Sequence, residues 1–217
     1  MMIMETESKT FKIFDFFDKS EFMIPEIQRN YTWTEKDQVR KLLQDIIKFS
    51  NVDHSHVPNY FLGTCIMYEG SEYGGAMQIM DGQQRVTSIM AFYCAIKSHL
   101  EKKARILSGK QKDDFEDYIE LISERIIFSD EEFQNCRLNP KSKSDKTIVE
   151  RMVKLNGDSL EEKFDKNTAS GMKLLNSPLA KAFTFFYDKL LSHAEKKSPE
   201  NPHDYLIELS MMVGDRI

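Results

Sequence analysis

The sequence predicts an α+β fold, in which a small mixed sheet with its helices is followed by a mainly helical second half. Two observations favour this prediction. In the first half, β-rich runs at 60–68 and 76–80 flank a glycine-containing turn, a pattern typical of a hairpin. From about residue 110 onward, apolar residues recur at helical spacing in most segments. Strands are therefore expected early in the chain and helices late.

The first half is predicted to alternate helices and strands. A short amphipathic helix in 10–19 precedes a brief strand at 22–24, which a proline ends because proline cannot donate to a sheet. After an irregular loop, a helix carries an apolar stripe from Val39 to Ile47. The hairpin 60–80 then leads directly into a longer helix, whose apolar residues recur from Val86 to Leu100.

Helical patterns fill most of the second half of the chain. The predicted helices occupy 113–127, 145–155, 178–197 and 202–213. Residues 136–138 are predicted to be a short extended piece, and 158–176 are polar and only loosely patterned. We therefore divide the chain into an α/β domain at 10–107 and a helical subdomain at 108–217.

Composition bounds the class of protein. The 217 residues are 41% hydrophobic and 30% charged with a net charge of −5, so any contact with DNA must use a local basic patch. Three widely spaced cysteines, Cys65, Cys94 and Cys136, fit a reduced cytoplasmic setting. The N-terminus lacks a secretory signal pattern, and no apolar run is long enough to span a bilayer, so no membrane partner is expected.

The segment 77–87 is the first candidate site. An apolar strand ends at Asp81-Gly82 and a helix starts at once, so Asp81 is predicted to cap it with Gln84 completing a capping box. Arg85 is unexplained by this arrangement, because a cation in the first turn faces the positive end of the helix dipole. An anion between Arg85 and the free N–H groups would remove the conflict, which indicates a phosphate site.

A second segment repeats the same chemistry. Gln28-Arg29, like Gln83-Gln84-Arg85, places amides beside a guanidinium where an extended piece meets a turn. If the two segments meet, they form a pocket with two cations that suits phosphate oxygens. The alternative left open is that Arg29 pairs with a surface carboxylate, Glu26 or Asp37, and that Tyr31 and Trp33 are only core residues.

Together these segments resemble a known family. The pattern Ile24-Pro25-x-x-Gln28-Arg29-x-Tyr31-x-Trp33 and the pattern Asp81-Gly82-Gln83-Gln84-Arg85-x-Thr87 are similar to the N-terminal domain of the GmrSD family, bacterial modification-dependent restriction and phage-defence proteins. The resemblance is clear over roughly residues 10–100 and thinner beyond.

The resemblance implies a ParB/sulfiredoxin-like fold followed by helices. It also implies binding and hydrolysis of a nucleoside triphosphate with Mg²⁺, without indicating GTP, UTP, CTP or ATP, coupled to cleavage of modified DNA by a separate C-terminal HNH-type nuclease domain. The chain carries no HNH residues, so we expect it to be truncated before that domain. Ser88 stands where a second Thr is common in the family.

The resemblance also implies roles for individual residues. Asp81 would hold a metal or a water, Gln83 or Gln84 would position the attacking water, and Arg85 would neutralise the γ-phosphate. The residues expected to bind the nucleotide are Gln28, Arg29, Tyr31, Gly82, Arg85 and Thr87.

Other readings remain open. The same pocket would serve a non-catalytic sensor of nucleotide or modified DNA, and a ParB-like nuclease would need a metal near Glu26 and Asp81. A homo-oligomer is compatible with either.

His54 and His56 beside Asp53 have metal-ligand spacing but lack further ligands nearby. Two basic stretches are weak candidates for a DNA backbone: Lys97 to Lys112, and Lys141, Lys143 and Lys146.

Overall fold

A computed structural model describes residues 7–18, 20–52, 59–69, 76–128 and 135–217. Its fold is α+β, as the sequence predicts, with a small mixed sheet and a mainly helical second half. The strands are β1 (Phe22–Ile24), β2 (Ile66–Glu69), β3 (Met77–Asp81) and β4 (Leu138–Pro140). The helices are α1 (Ile13–Asp18), α2 (Gln38–Ser50), α3 (Gln83–Ala104), α4 (Lys110–Ile122), α5 (Lys143–Met152), α6 (Leu160–Lys163), α7 (Ala169–Leu175), α8 (Pro178–Lys197) and α9 (Pro202–Arg216). A π-helical turn, Ser123–Ile127, extends α4.

The sheet has the strand order β2-β3-β1-β4. β2 pairs antiparallel with β3 as the predicted hairpin requires, but the strand covers 66–69 instead of the predicted 60–68. β1 runs parallel to both of its neighbours, with Phe22 opposite Met77 on one side and Leu138 on the other. The sheet therefore joins three separate parts of the chain, and the first and second motifs leave it side by side at the ends of β1 and β3.

Helix α3 is the centre of the molecule. It follows β3 directly, and nearly all of its side chains from Val86 to Leu100 are buried. A helix that is buried on all sides must be covered on all sides, which α4, α8, α9 and the π-helical turn do here. The start of α3 is thereby fixed rigidly at the carboxyl end of β3, where the second motif lies.

The start of α3 differs from the prediction. Gly82 is the N-cap residue, with a φ of 89°, and no side chain caps the helix. The predicted capping box of Asp81 and Gln84 is therefore wrong. The left-handed conformation of Gly82 shifts the cap by one residue, and a Cβ at this position would lie 3.2 Å from the backbone of Cys65. Gln84 is consequently free to bond elsewhere.

The second half packs onto the same core as the first. One cluster of buried apolar side chains runs from α1 through α3 to α8 and α9, and β4 adds a strand from this half to the sheet. The division at residue 107 stays a prediction. Helix α8 begins as predicted, with Ser177 Oγ accepting a hydrogen bond from Ala180 N. Helix α5 ends at Met152, before the predicted end, and α6 and α7 lie in the 158–176 segment for which no helix was predicted.

Candidate functional site

The two motif segments are in direct contact through Gln84. Its Oε1 accepts hydrogen bonds from Thr32 N at 2.8 Å and Trp33 N at 3.2 Å, and its Nε2 donates to Asn30 O at 3.1 Å. Both ends of the amide are thus occupied by backbone groups of the first loop. Gln84 holds residues 30–33 against the start of α3.

The same loop is held from its other side by α5. Tyr31 N donates to Asp145 Oδ2 at 2.8 Å, across 114 residues of sequence. The Tyr31 hydroxyl lies 2.7 Å from Ser88 Oγ, which itself donates to Gln84 O. Burial raises the pKa of the Tyr31 phenol well above its ordinary value, so the group stays neutral. The backbone of 29–31 is therefore clamped between α3 and α5.

A cavity of about 370 Å³ opens at this junction. Its walls are the first loop, the start of α3 and the start of α5. The predicted site residues that line it are Gln28, Arg29, Tyr31, Gln83, Gln84 and Thr87. The volume falls within the range of small-molecule sites in proteins.

The cavity contains charges of both signs. Arg29, Lys141 and Lys143 line it together with the carboxylates of Glu26 and Asp145. Arg29 is exposed, and its guanidinium has neither a hydrogen bond nor an ion pair to any described residue, so the predicted alternative of a pair with Glu26 or Asp37 is not seen. Burial raises the pKa of Asp145, and the hydrogen bond from Tyr31 N opposes that rise.

Gln83 carries an unsatisfied acceptor at this cavity. The residue is only 6% exposed, and its Nε2 donates a long hydrogen bond of 3.4 Å to Arg29 O. Among the described residues, its Oε1 is the buried side-chain polar atom that lacks a hydrogen-bond partner. Because such atoms cost about 1–3 kcal/mol when left unpaired, they often mark functional sites. A ligand with a donor group would satisfy it.

Three predicted site residues lie outside the walls of this cavity. Arg85 directs its guanidinium to the 63–65 segment, where Nη1 donates to Thr64 O at 2.8 Å. Asp81 is exposed at the end of β3, and its backbone carbonyl accepts a hydrogen bond from the Cys65 thiol. Gly82 lies between them as the N-cap. The start of α3 thus presents its two glutamines and its arginine to different surroundings.

Asp81 is not part of a multi-ligand metal site among the described residues. Within the ranges that the structure describes, no group of three or more His, Cys, Asp or Glu side chains is placed to hold a metal ion. The histidine pair His54 and His56, with Asp53, lies outside the described residues. A metal at Asp81 stays a prediction.

The comparison with protein families decides the relationship. A family model described as the GmrSD restriction endonuclease, N-terminal domain, matches residues 13–209. The chain belongs to this family. A search of curated proteins returned no match. As a GmrSD N-terminal domain, the chain is a component of a restriction and defence protein. No helix among its described residues has the length and apolar character needed to cross a membrane.

The GmrSD resemblance did not point to the third wall of the cavity. Lys141, Lys143 and Asp145 line it, although the sequence analysis treated the two lysines only as a weak DNA-binding candidate. The spacing Ser142-x-x-Asp145 after a proline is a helix-start pattern and was the available signal. Nothing local in the sequence indicates that this helix start faces the first loop.

Proposed function

We propose that this GmrSD N-terminal domain binds and hydrolyses a nucleoside triphosphate, and thereby regulates DNA restriction by the nuclease part of its system. The observation that carries the proposal is the convergence of both motifs on one cavity, where the Arg29 guanidinium and Gln83 Oε1 have no partner among the described residues. Modified DNA would be engaged by the full-length protein, and assembly into a homo-oligomer is a further part of the proposal.

Arg29 supports phosphate binding most directly. A guanidinium presents parallel N–H donors that match phosphate oxygens, and this one has no competing partner among the described residues. Gln28 and the Thr87 hydroxyl line the same cavity and are suited to donate to phosphate oxygens as well. These three residues would hold the polyphosphate beside the first loop.

The two glutamines take different roles in this proposal. Gln84 is fully engaged with the backbone of the first loop, so it positions Arg29 and Tyr31 for the ligand. Gln83 has a free acceptor, so it is the residue that would orient the attacking water. The motif left open which glutamine would orient the attacking water, and the proposal selects Gln83 because its acceptor has no partner among the described residues.

The proposed roles of Asp81 and Arg85 require a rearrangement. Arg85 would neutralise the γ-phosphate only after its guanidinium leaves Thr64 O. Mg²⁺ is proposed as the companion of the triphosphate, because Mg²⁺ in such sites is held by one or two carboxylates and the phosphates themselves. Glu26 and Asp145 are carboxylates on the cavity wall, so the residues present fit such an ion; Asp81 would join only with the same rearrangement.

The test is phosphate release from GTP, UTP, CTP and ATP with Mg²⁺, together with thermal unfolding in each nucleotide. We expect stabilisation and turnover with at least one of them, and loss of both in Arg29→Ala. Arg151→Ala is the matched control, because that arginine is also exposed, makes no ion pair with a described residue and lies outside the cavity. If no nucleotide raises the melting temperature and none is hydrolysed, the proposal is wrong.

One observation favours a second candidate function, a non-catalytic sensor of nucleotide or modified DNA. Two of the residues expected to act in hydrolysis, Asp81 and Arg85, do not line the cavity that holds the binding residues. A sensor would be stabilised by its ligand by mass action without turning it over. Stabilisation without phosphate release, in the presence of modified and unmodified DNA, would select this function.

A further inference from the structure

The wall of the cavity opposite the two motifs comes from the helical half of the chain. It is the segment 140–145, which leaves β4 and starts α5. β4 pairs with β1, and Lys141 N donates to Ile24 O at 3.0 Å, so this segment is fixed beside the first loop. Its residues belong to neither motif.

The first turn of α5 has unused backbone donors. Ser142 is the N-cap residue but makes no side-chain cap bond, and its Oγ instead lies 3.2 Å from Ser144 Oγ. Its carbonyl accepts from Lys146 N at 2.9 Å, which closes the first helical turn. The N–H groups of 143–145 donate to no described residue. They carry the positive end of the helix dipole and are suited to an anion.

Lys143 adds a full charge to these donors. Its side chain is exposed, lines the cavity and forms no ion pair with a described residue. Asp145 works in the opposite sense, because its carboxylate lies on the same wall; its Oδ2 already accepts from Tyr31 N. A phosphate accompanied by a divalent cation would meet both charges favourably, whereas a bare phosphate would meet only the lysine favourably.

Gln83 provides an independent sign that this cavity takes a ligand. Its Oε1 is a buried acceptor without a partner among the described residues, on a side chain that lines the same cavity as the start of α5. Anion donors on one side and an unsatisfied acceptor on the other suit a ligand that carries both phosphate and hydrogen-bond donors.

We propose that Lys143 and the first turn of α5 form a second phosphate subsite, so that one nucleotide is bound by the α/β half and the helical half together. The inference rests on the proposed nucleotide function and deepens it. Arg29 and Gln83 contact the ligand from the first-half walls, and Lys143 contacts its phosphates from the third. Bound nucleotide therefore links α3 to α5.

The experiment compares Lys143→Ala with Lys146→Ala. Both residues are exposed lysines on α5 without ion pairs to described residues, but only Lys143 lines this cavity. Calorimetric titration with the nucleotide that most stabilises the wild type, in Mg²⁺, gives the dissociation constants. Loss of one charge-assisted hydrogen bond predicts affinity weakened by about 10-fold or more in Lys143→Ala. Lys146→Ala should stay within about twofold of the wild type, because screening weakens charges at a distance.

The outcomes separate the two proposals. Tight binding by the wild type with equal affinities in the two lysine variants would overturn the α5 subsite and leave the nucleotide function standing. Absence of binding by the wild type to all four nucleotides would overturn the nucleotide function itself, and the subsite with it. Lys143→Arg should retain most of the affinity, since it keeps the charge and the donors. Equal melting temperatures of the free variants would exclude a folding defect.

Discussion

Replacing Gln84 by methionine should destabilise the protein more than the same change at its neighbour Gln83. Both side chains are 6% exposed, and methionine keeps their length and helix propensity. Gln84→Met leaves Thr32 N, Trp33 N and Asn30 O without their partner. At about 1 kcal/mol for each hydrogen bond, the free energy of unfolding should fall by about 3 kcal/mol.

Gln83→Met should not lower the free energy of unfolding. It loses one long bond to Arg29 O but also removes the buried Oε1 that has no partner. Since an unsatisfied buried acceptor costs about 1–3 kcal/mol, the variant should be as stable as the wild type or slightly more stable. The pair of variants thus separates a glutamine that supports the fold from one that we propose contacts a ligand.

Urea unfolding monitored by circular dichroism measures both free energies, and thermal unfolding provides a second readout. In a chain of this length, about 3 kcal/mol corresponds to a melting-temperature decrease of about 6–12 °C for Gln84→Met. Equal losses in the two variants, or a neutral Gln84→Met, would refute the assignment of the loop clamp to Gln84. Nucleotide affinity should fall in both variants, in Gln83→Met without loss of stability.

The remaining predictions concern stability. Gly63→Ala should lower the free energy of unfolding in urea, because its φ of 124° disfavours any residue with a Cβ and because that Cβ would lie 2.8 Å from the Arg85 guanidinium, which would then have to leave Thr64 O; unchanged stability would contradict this. Gly214→Ala should lower the free energy of unfolding by about 1–3 kcal/mol, because its Cβ would come within 2.2 Å of a buried phenylalanine ring of α1; a melting temperature at or above the wild type would contradict this. Burial lowers the pKa of His99 to about 4, below its value of about 6.5 in the unfolded chain. Protonation of the unfolded chain therefore lowers the free energy of unfolding as the pH falls from 6.5 towards 4, and this loss is absent above pH 6.5. Between pH 6.5 and 5 the wild type should lose about 2 kcal/mol that His99→Gln does not lose, measured by urea unfolding at each pH.

Local patterns in the sequence determined most of the elements. Ser177 before Pro178 marks the start of α8, because a cap and a fixed φ act within one turn of the chain. The β-rich run before Asp81 and the apolar periodicity after it indicate β3 and α3, since burial on a strand or helix repeats at a fixed interval. Helices α6 and α7 were not predicted because they are short and lack a long apolar stripe. The only local indication of them is the side-chain cap at the start of each, Ser159 and Thr168.

The candidate site was only partly predictable. The motifs indicated which residue types to examine, and Gln28, Arg29, Gln83 and Thr87 do line one cavity. Whether a given side chain turns towards that cavity depends on its hydrogen-bond partners. Arg85 is directed by a carbonyl at residue 64, beyond the reach of any pattern inside the motif.

The sequence by itself determined the fold class, the family and the chemical types at the site, because these follow from periodicity, turn chemistry and short motifs. Tertiary structure decided the hydrogen-bond partners of Gln83 and Gln84, the direction of Arg85 and the inclusion of 140–145 in the cavity wall. These depend on bonds such as Tyr31 N to Asp145 Oδ2, between residues 114 positions apart. Such bonds form only after the sheet and α3 have brought distant segments together, so no local pattern records them.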